Sequence, residues 1–190
     1  MAGQILFICG YAQSGKDTVA TMCSCEYGFR RLAFADALKR ACAAEHNLPL
    51  ELFFDNATKD APLVGSTKTP RDLVLAHAIV ARARDMDVYS KQIVTEIRWS
   101  QKPIPVVISD WRYLREYDYI VSKFPDAHIM RVRVVRDGVV PSSDPSEHDL
   151  DDTPMDAVIH NNGTIEDLRE AVRQLLDMVS QFSASEHTRA

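Results

Sequence analysis

The run QILFIC at residues 4–9, closed by Gly10, constrains this chain more than any other stretch. An apolar run with so little polar alternation predicts a strand buried on both faces, the kind found in parallel sheets covered by helices. The next residues narrow the choice. Gly15 and Lys16 come first, and KDTVATMCSCEY then predicts a helix stopped near Gly28. Strand, glycine-spaced turn and helix, in that order, suit a loop whose backbone N–H groups wrap an anion at a positive helix end.

The same alternation continues. RRLAF at 30–34 predicts a second strand and ADALKRACAAEHN a helix ended by Asn47 and Pro49. Residues 50–68 lack a period and are expected to form a surface loop. Thr69, Pro70 and Asp72 form a helix start, and the helix runs through most of 71–99 with a break or bend at ARDMDVYS. IPVVIS at 104–109 is a strand closed by Asp110. Residues 113–124 are an amphipathic helix and AHIMRVRVV at 127–135 a strand. Three prolines and seven acids fill 137–156, predicting an irregular, mobile, lid-like segment. DAVIHN is a last strand, NNGT a turn, and a closing helix starts at Thr164. The expected fold is therefore α/β with three layers, a parallel sheet of about five strands between helices, in one domain over 1–183 with a tail fraying over 184–190.

Bulk properties exclude several classes. A chain of 190 residues, 46% hydrophobic and 26% charged, can fill one core. A net charge of −5 argues against a broad nucleic-acid-binding face. No apolar run is long enough to span a membrane, and the start lacks the basic region of a signal peptide. The four cysteines have no zinc-finger or Cys-x-x-Cys spacing, which predicts reduced, mostly buried thiols in a cytosolic compartment. The histidines have no metal-ligand spacing. Ala76, Ile79, Val80 and Ala83 share a side of the middle helix, as either a core face or a dimer seam.

Parallel sheets bind ligands beyond the carboxyl ends of their strands, and Gly10, Asp36, Asp110 and Arg136 all fall just after predicted strands. Gly10, Ala12, Gln13, Ser14, Gly15, Lys16, Asp17 and Thr18 form the phosphate-binding loop, with Lys16 reaching the outer phosphates. The residue after that lysine is usually a Ser or Thr that ligates magnesium. Here it is Asp17. A carboxylate can also enter the shell of a hard cation; alternatively, Thr18 supplies the hydroxyl and Asp17 caps the helix or orients an arginine. Arg131 and Arg133 fall on one face of their strand, which is costly unless they meet anions.

SGKDT is the form of this loop in phage-type deoxynucleoside monophosphate kinases, and animal phosphomevalonate kinases also carry SGKD. LAFADALKR resembles a segment of the phage family usually written A-F-A-D-P-L-K, with Ala37 in place of the proline. VVISDWRYLREYD resembles its second acidic strand, SEHDLDDTPMDAVIHNNGTIEDL its C-terminal block, and TPRDLV its arginine-bearing middle helix. The matches run from residue 5 to about 176; 50–68 and 76–100 match weakly.

This resemblance implies a P-loop fold that transfers the γ-phosphoryl group of ATP to a deoxynucleoside monophosphate, with Mg2+ as cofactor. It implies a cytoplasmic setting, in the host cell for a phage-encoded chain, small nucleotide substrates and no nucleic-acid or membrane partner. Because the acceptor is already an anionic oxygen, cations are needed more than a base. Lys16, Arg112, Arg131 and Arg136 are the catalytic candidates; Asp17 and Asp110 the metal candidates; Asp36, Lys39, Arg71, Asp110 and Arg112 the acceptor-binding candidates; Asn161 and Gly163 the adenine-side candidates. The competing readings are another small-molecule kinase, of the dephospho-coenzyme A or phosphomevalonate type, and a nucleotide sensor without turnover.

Overall fold

The computed structural model describes residues 3–55, 57–99 and 104–187. Five parallel strands, β1 (Gln4–Cys9), β2 (Arg30–Leu32), β3 (Val106–Ile108), β4 (His128–Val135) and β5 (Ala157–His160), lie in the order β2-β3-β1-β4-β5. The helices among the described residues are α1 (Lys16–Tyr27), α2 (Phe34–His46), α3 (Glu51–Phe54), α4 (Pro70–Arg84), α5 (Val88–Trp99), α6 (Leu114–Lys123) and α7 (Ile165–His187). No helix of the described residues is long and apolar enough to cross a membrane.

The continuous apolar character of β1 has a direct physical cause. Leu6 and Ile8 point to one face and pack with Val19 and Cys23 of α1 and Leu168, Val172 and Leu175 of α7. Ile5 and Phe7 point to the other and pack with Ala37 of α2, Ile93 and Ile97 of α5, and Ile120 of α6. Side chains alternate along a strand, so a central strand needs apolar residues at both parities. Each such side chain, fully buried, contributes about 1.5–3 kcal/mol. Phe7 also meets Trp111 edge-on, with ring centroids 5.5 Å apart.

Local signals hold well. Gly28 and Asn47 end α1 and α2 in the left-handed conformation. Thr69 and Asp72 form a capping box at the start of α4, with Pro70 at its first position. The helical stretch 71–99 divides into α4 and α5 around Asp85 and Asp87, within the expected break. Two corrections are needed. The 50–68 segment contains α3, because Phe53 buries itself against Cys42 and Ala43. Helix α7 continues to His187, past the point where fraying was expected; no Gly or Pro follows Gly163 to stop it, and 188–190 lie outside the described residues. Of the two readings of Ala76, Ile79, Val80 and Ala83, the core face is not met: all four are exposed, and α4 buries Ala78 instead. The cysteines are as expected: Cys9, Cys23 and Cys42 are buried, Cys25 is exposed, and all four are free.

The 137–156 segment is irregular, with one short 3-10 turn at Pro145–Glu147. It is nonetheless tied to the body. Leu150 is buried in the second core, the Tyr11 hydroxyl donates to Asp151 at 2.8 Å, and Arg133 donates to the carbonyls of Leu150 and Asp151.

Candidate active site

The loop between β1 and α1 is shaped by close backbone approaches. Gly10 has φ +146°, and a Cβ there would lie 2.4 Å from the carbonyl oxygen of Val134. Gly15 has φ +98°, and its Cβ would lie 2.3 Å from the side-chain nitrogen of Asn161. Between them, Gln13 takes a positive φ of 68°, and Ser14 N–H donates to Tyr11 O at 3.1 Å. Ala12 and Gln13 are exposed on the outer turn while Ser14 is buried, its hydroxyl without a partner among the described residues. The Lys16 ammonium lies 3.5 Å from Tyr11 O, folded back along the loop. This is the geometry of an anion-wrapping nest at a helix N-terminus.

A cleft of about 420 Å³ opens on one side of this loop. Lys16, Asp17, Thr18, Arg136, Asn161 and Gly163 are among its walls. Asn161 does more than line it: its amide donates to Ser14 O at 2.8 Å, so the turn after β5 braces the loop after β1. Thr164 and Asp167 cap α7 reciprocally beside Gly163, where a Cβ would strike the Asp167 carboxylate.

A second cleft, about 440 Å³, opens on the other side of Lys16 and Asp17. Asp36, Lys39, Arg71, Asp110 and Arg112 all line it, together with Arg31, Lys59 and Arg82. Most of its cations have identified partners. Arg31 meets Asp17 at 2.9 Å, Arg71 forks onto Asp60, and Arg82 meets Glu116 at 3.4 Å. Arg112 donates to the Ser146 hydroxyl at 3.0 Å and lies 3.5 Å from Glu147. Lys39 sits over the Phe54 ring.

Asp110 follows β3 with both oxygens engaged, accepting from the N–H groups of Phe34 and Ala35 at 2.8 and 2.7 Å. Burial pushes its pKa up, the two N–H bonds pull it down, and the charges of Asp36 and Asp17 push it up again. Glu116 accepts from the backbone of Arg112 and Tyr113, and burial raises its pKa to about 7.

The structure thus gathers all but one of the residues picked from sequence at the carboxyl edge of the sheet. The exception is Arg131. It lies mid-strand opposite Phe7 and forks onto Asp156 at 2.9 and 3.1 Å, with its guanidinium over the Tyr117 ring. That pairing absorbs the charge and holds it away from both clefts, so its expected catalytic place is corrected. Asp17 pairs with Arg31 and forms no side-chain cap on α1. Arg31, Lys59, Arg82, Tyr89 and Glu116 were not found from sequence. Arg82 had a usable signal: eleven residues, about three helical turns, separate it from Arg71, which puts both on one face of α4.

No family model matches the chain, and no curated protein matches it in sequence. Solved structures do match in shape. A dephospho-CoA kinase from Campylobacter jejuni superposes with a TM-score of 0.55 at 14% identity, over 93% of this chain and 97% of its own. A protein named TT1252 from Thermus thermophilus gives 0.53 at 19% identity, over 94% and 98%. A gluconokinase from Sinorhizobium meliloti 1021 gives 0.52 at 14% identity, over 99% and 97%. The chain shares its fold, a five-stranded parallel sheet between helices, with these proteins. The likeness in shape covers nearly the whole chain.

Proposed function

We propose that this chain is a small-molecule P-loop kinase that moves the γ-phosphoryl group of ATP to a deoxynucleoside monophosphate. The observation that carries the reading is the second cleft. Several arginines and lysines from separate elements line one cavity that adjoins the loop lysine, which suits an acceptor bearing a phosphate. The first cleft, with the nest at one end and Asn161, Gly163 and Leu168 at the other, suits a nucleoside triphosphate.

In this reading the loop N–H groups and Lys16 bind the donor's outer phosphates. Arg112 leaves Ser146 and Glu147 to grip the acceptor phosphate, and Arg136 faces the donor from the end of β4. Lys16 stands between the clefts and stabilises charge that spreads over the transferring group. No base is needed for a phosphate oxygen.

Mg2+ fits the residues present. No cluster of three His, Cys, Asp or Glu side chains exists among the described residues, so a cation here would draw its remaining ligands from phosphate and water, as magnesium commonly does. Asp17 and Asp110 would hold it, directly or through water; each Asp110 oxygen retains a lone pair beyond its N–H bond. When bound, the ion would neutralise phosphate charge.

A second reading, phosphoryl transfer to an alcohol as in a dephospho-coenzyme A kinase, has Asp36 in its favour, since that carboxylate lines the acceptor cleft and would serve as base. Coupled assays with ATP and Mg2+ on dTMP, dGMP, dCMP and dephospho-coenzyme A separate the two. Turnover of a monophosphate supports the first; turnover of dephospho-coenzyme A alone overturns it. Thermal shift with the same panel checks binding independently, and absence of turnover with retained ATP binding would favour a sensor.

A further inference from the structure

The 137–156 segment holds the arginine that the proposed reading sets on the acceptor phosphate. Its second half is anchored. Leu150 is buried, Asp151 accepts from the Tyr11 hydroxyl, Arg133 donates to the carbonyls of Leu150 and Asp151, and Asp149 accepts from Leu114 N–H at 3.0 Å. Residues 142–147 form an arm that reaches back to the acceptor cleft, whose walls include Asp144 and Ser146. The arm meets Arg112 there. One guanidinium nitrogen donates to the Ser146 hydroxyl at 3.0 Å, and the other lies 3.5 Å from a Glu147 oxygen. The Glu147 side chain is 6% exposed, and its second oxygen accepts from Ser142 N–H at 3.1 Å. Two oxygens side by side on a guanidinium fork are what a phosphate presents.

His148 ties the arm to the anchor. Its Nδ1 lies 2.9 Å from the Asp151 carboxylate and its Nε2 3.0 Å from the Ser142 carbonyl oxygen. Neither partner can donate, so both ring nitrogens must, and the ring is an imidazolium. The charges facing it are Asp151 and Glu147 of the same segment. Tyr11 of the phosphate loop stands beside it, ring centroids 6.2 Å apart, and Arg133 of β4 donates to the Asp151 carbonyl behind. The hydrogen bonds to Asp151 and Ser142 hold the His148 pKa above its ordinary 6.5.

We propose that Glu147 and Ser146 are positioning residues that park the Arg112 guanidinium in place of an acceptor phosphate, and that His148 latches the arm carrying them. This deepens the monophosphate-kinase reading and rests on it. An incoming phosphate carries more charge than one carboxylate, so it replaces both oxygens on the fork, and the arm swings out about the anchored residues 148–151. The exchange costs little, because the ion pair is long at 3.5 Å and solvent screens an arginine that is 38% exposed. The acceptor therefore binds against competition from the arm, while ATP does not. As pH rises past the His148 pKa, the ring keeps one N–H for two acceptors and the latch loosens.

The test is steady-state kinetics with ATP, Mg2+ and whichever of dTMP, dGMP, dCMP and dAMP wild type turns over fastest. Glu147→Gln keeps an oxygen for Ser142 N–H and removes the charge; it should lower the acceptor KM about threefold, with kcat and the ATP KM unchanged. Replacing a merely structural residue would not tighten the acceptor. If Glu147→Gln does not fold, Ser146→Ala carries the same test, with a fall of about twofold expected. In an Arg112→Gln background either gain should vanish, because no guanidinium is left to compete for. His148→Gln keeps one amide donor and does not titrate. It should lower the acceptor KM about threefold at about pH 6 and match wild type near about pH 8.5. The titration of the acceptor phosphate is common to both proteins and cancels in their ratio. An acceptor KM that is unchanged or raised in Glu147→Gln, or a gain that persists without Arg112, overturns the assignment and leaves the kinase reading standing. A His148→Gln ratio that stays flat with pH overturns the latch. A wild type that phosphorylates none of the monophosphates overturns the monophosphate reading and this assignment with it.

Discussion

The two clefts that share Lys16 are held by different forces. On the donor side the shape comes from backbone: two glycines at positive φ, an N–H to carbonyl turn, and one amide brace from Asn161 to Ser14 O. On the acceptor side it comes from charged side chains paired across distant elements: Arg31 with Asp17, Arg71 with Asp60, Arg82 with Glu116, Arg112 with Glu147. A backbone nest is rigid and indifferent to what lies beyond the phosphates. A set of ion pairs can exchange partners, so an incoming anion replaces an acid at modest cost where the pair is exposed. In the proposed reading, the donor side therefore suits one ligand group and the acceptor side suits choice.

That contrast can be broken by substitution. Lys16→Ala should have the largest effect, lowering kcat by on the order of a thousandfold with the melting temperature little changed, because the charge it supplies is used mainly in the transition state. Gly10→Ala should act on stability, lowering it by about 3 kcal/mol or more in denaturant titration, since its Cβ would collide with backbone that cannot rotate away. The exposed Gly138, also at positive φ but with nothing within 4 Å, should tolerate Ala far better.

On the acceptor side, pH offers a comparable lever. Burial raises the Glu116 pKa from its ordinary 4.5 to about 7. Between those values the folded state keeps a proton that the unfolded chain has lost, so this residue makes stability fall as pH rises, with the loss complete above about 7. Glu116→Gln should flatten that slope, gaining on the order of 3 kcal/mol on wild type between pH 4.5 and 8 in chemical denaturation. A steeper slope in the variant would show that Arg82 needs the negative charge more than burial opposes it.

Smaller effects should separate the clefts kinetically. Arg112→Lys, which keeps charge but loses the fork, should raise the acceptor KM about tenfold and leave the KM for ATP unchanged. Asp17→Asn should alter the acceptor KM about threefold by freeing Arg31, an exposed pair. A rise in the Mg2+ requirement alongside it is expected from the proposed place of Asp17 beside the metal; an unchanged requirement would leave Asp17 to the acceptor side alone.

Legibility in the sequence divides the same way. The β1–loop–α1 unit, the α4 cap and the break near Asp85 were all visible, because each depends on residues within a few positions of one another. The gathering of Asp36, Asp110, Arg112, Arg136 and Asn161 at one edge was visible too, since strand ends in a parallel sheet lie together whatever the side chains are. Arg131 looked like its neighbour Arg136 and proved different, and α3 was hidden because four residues carry no period.

From its letters alone, the chain determined a doubly covered parallel sheet and an anion-wrapping turn, because strand parity, helix period and glycine torsions are local properties. Tertiary structure alone decided which charges remain available to a ligand. Asp156 lies 25 positions from Arg131 and Glu116 lies 34 from Arg82, and pairing over such separations depends on how strands and helices pack in space. Coulomb attraction falls with distance between atoms and takes no account of distance along the chain.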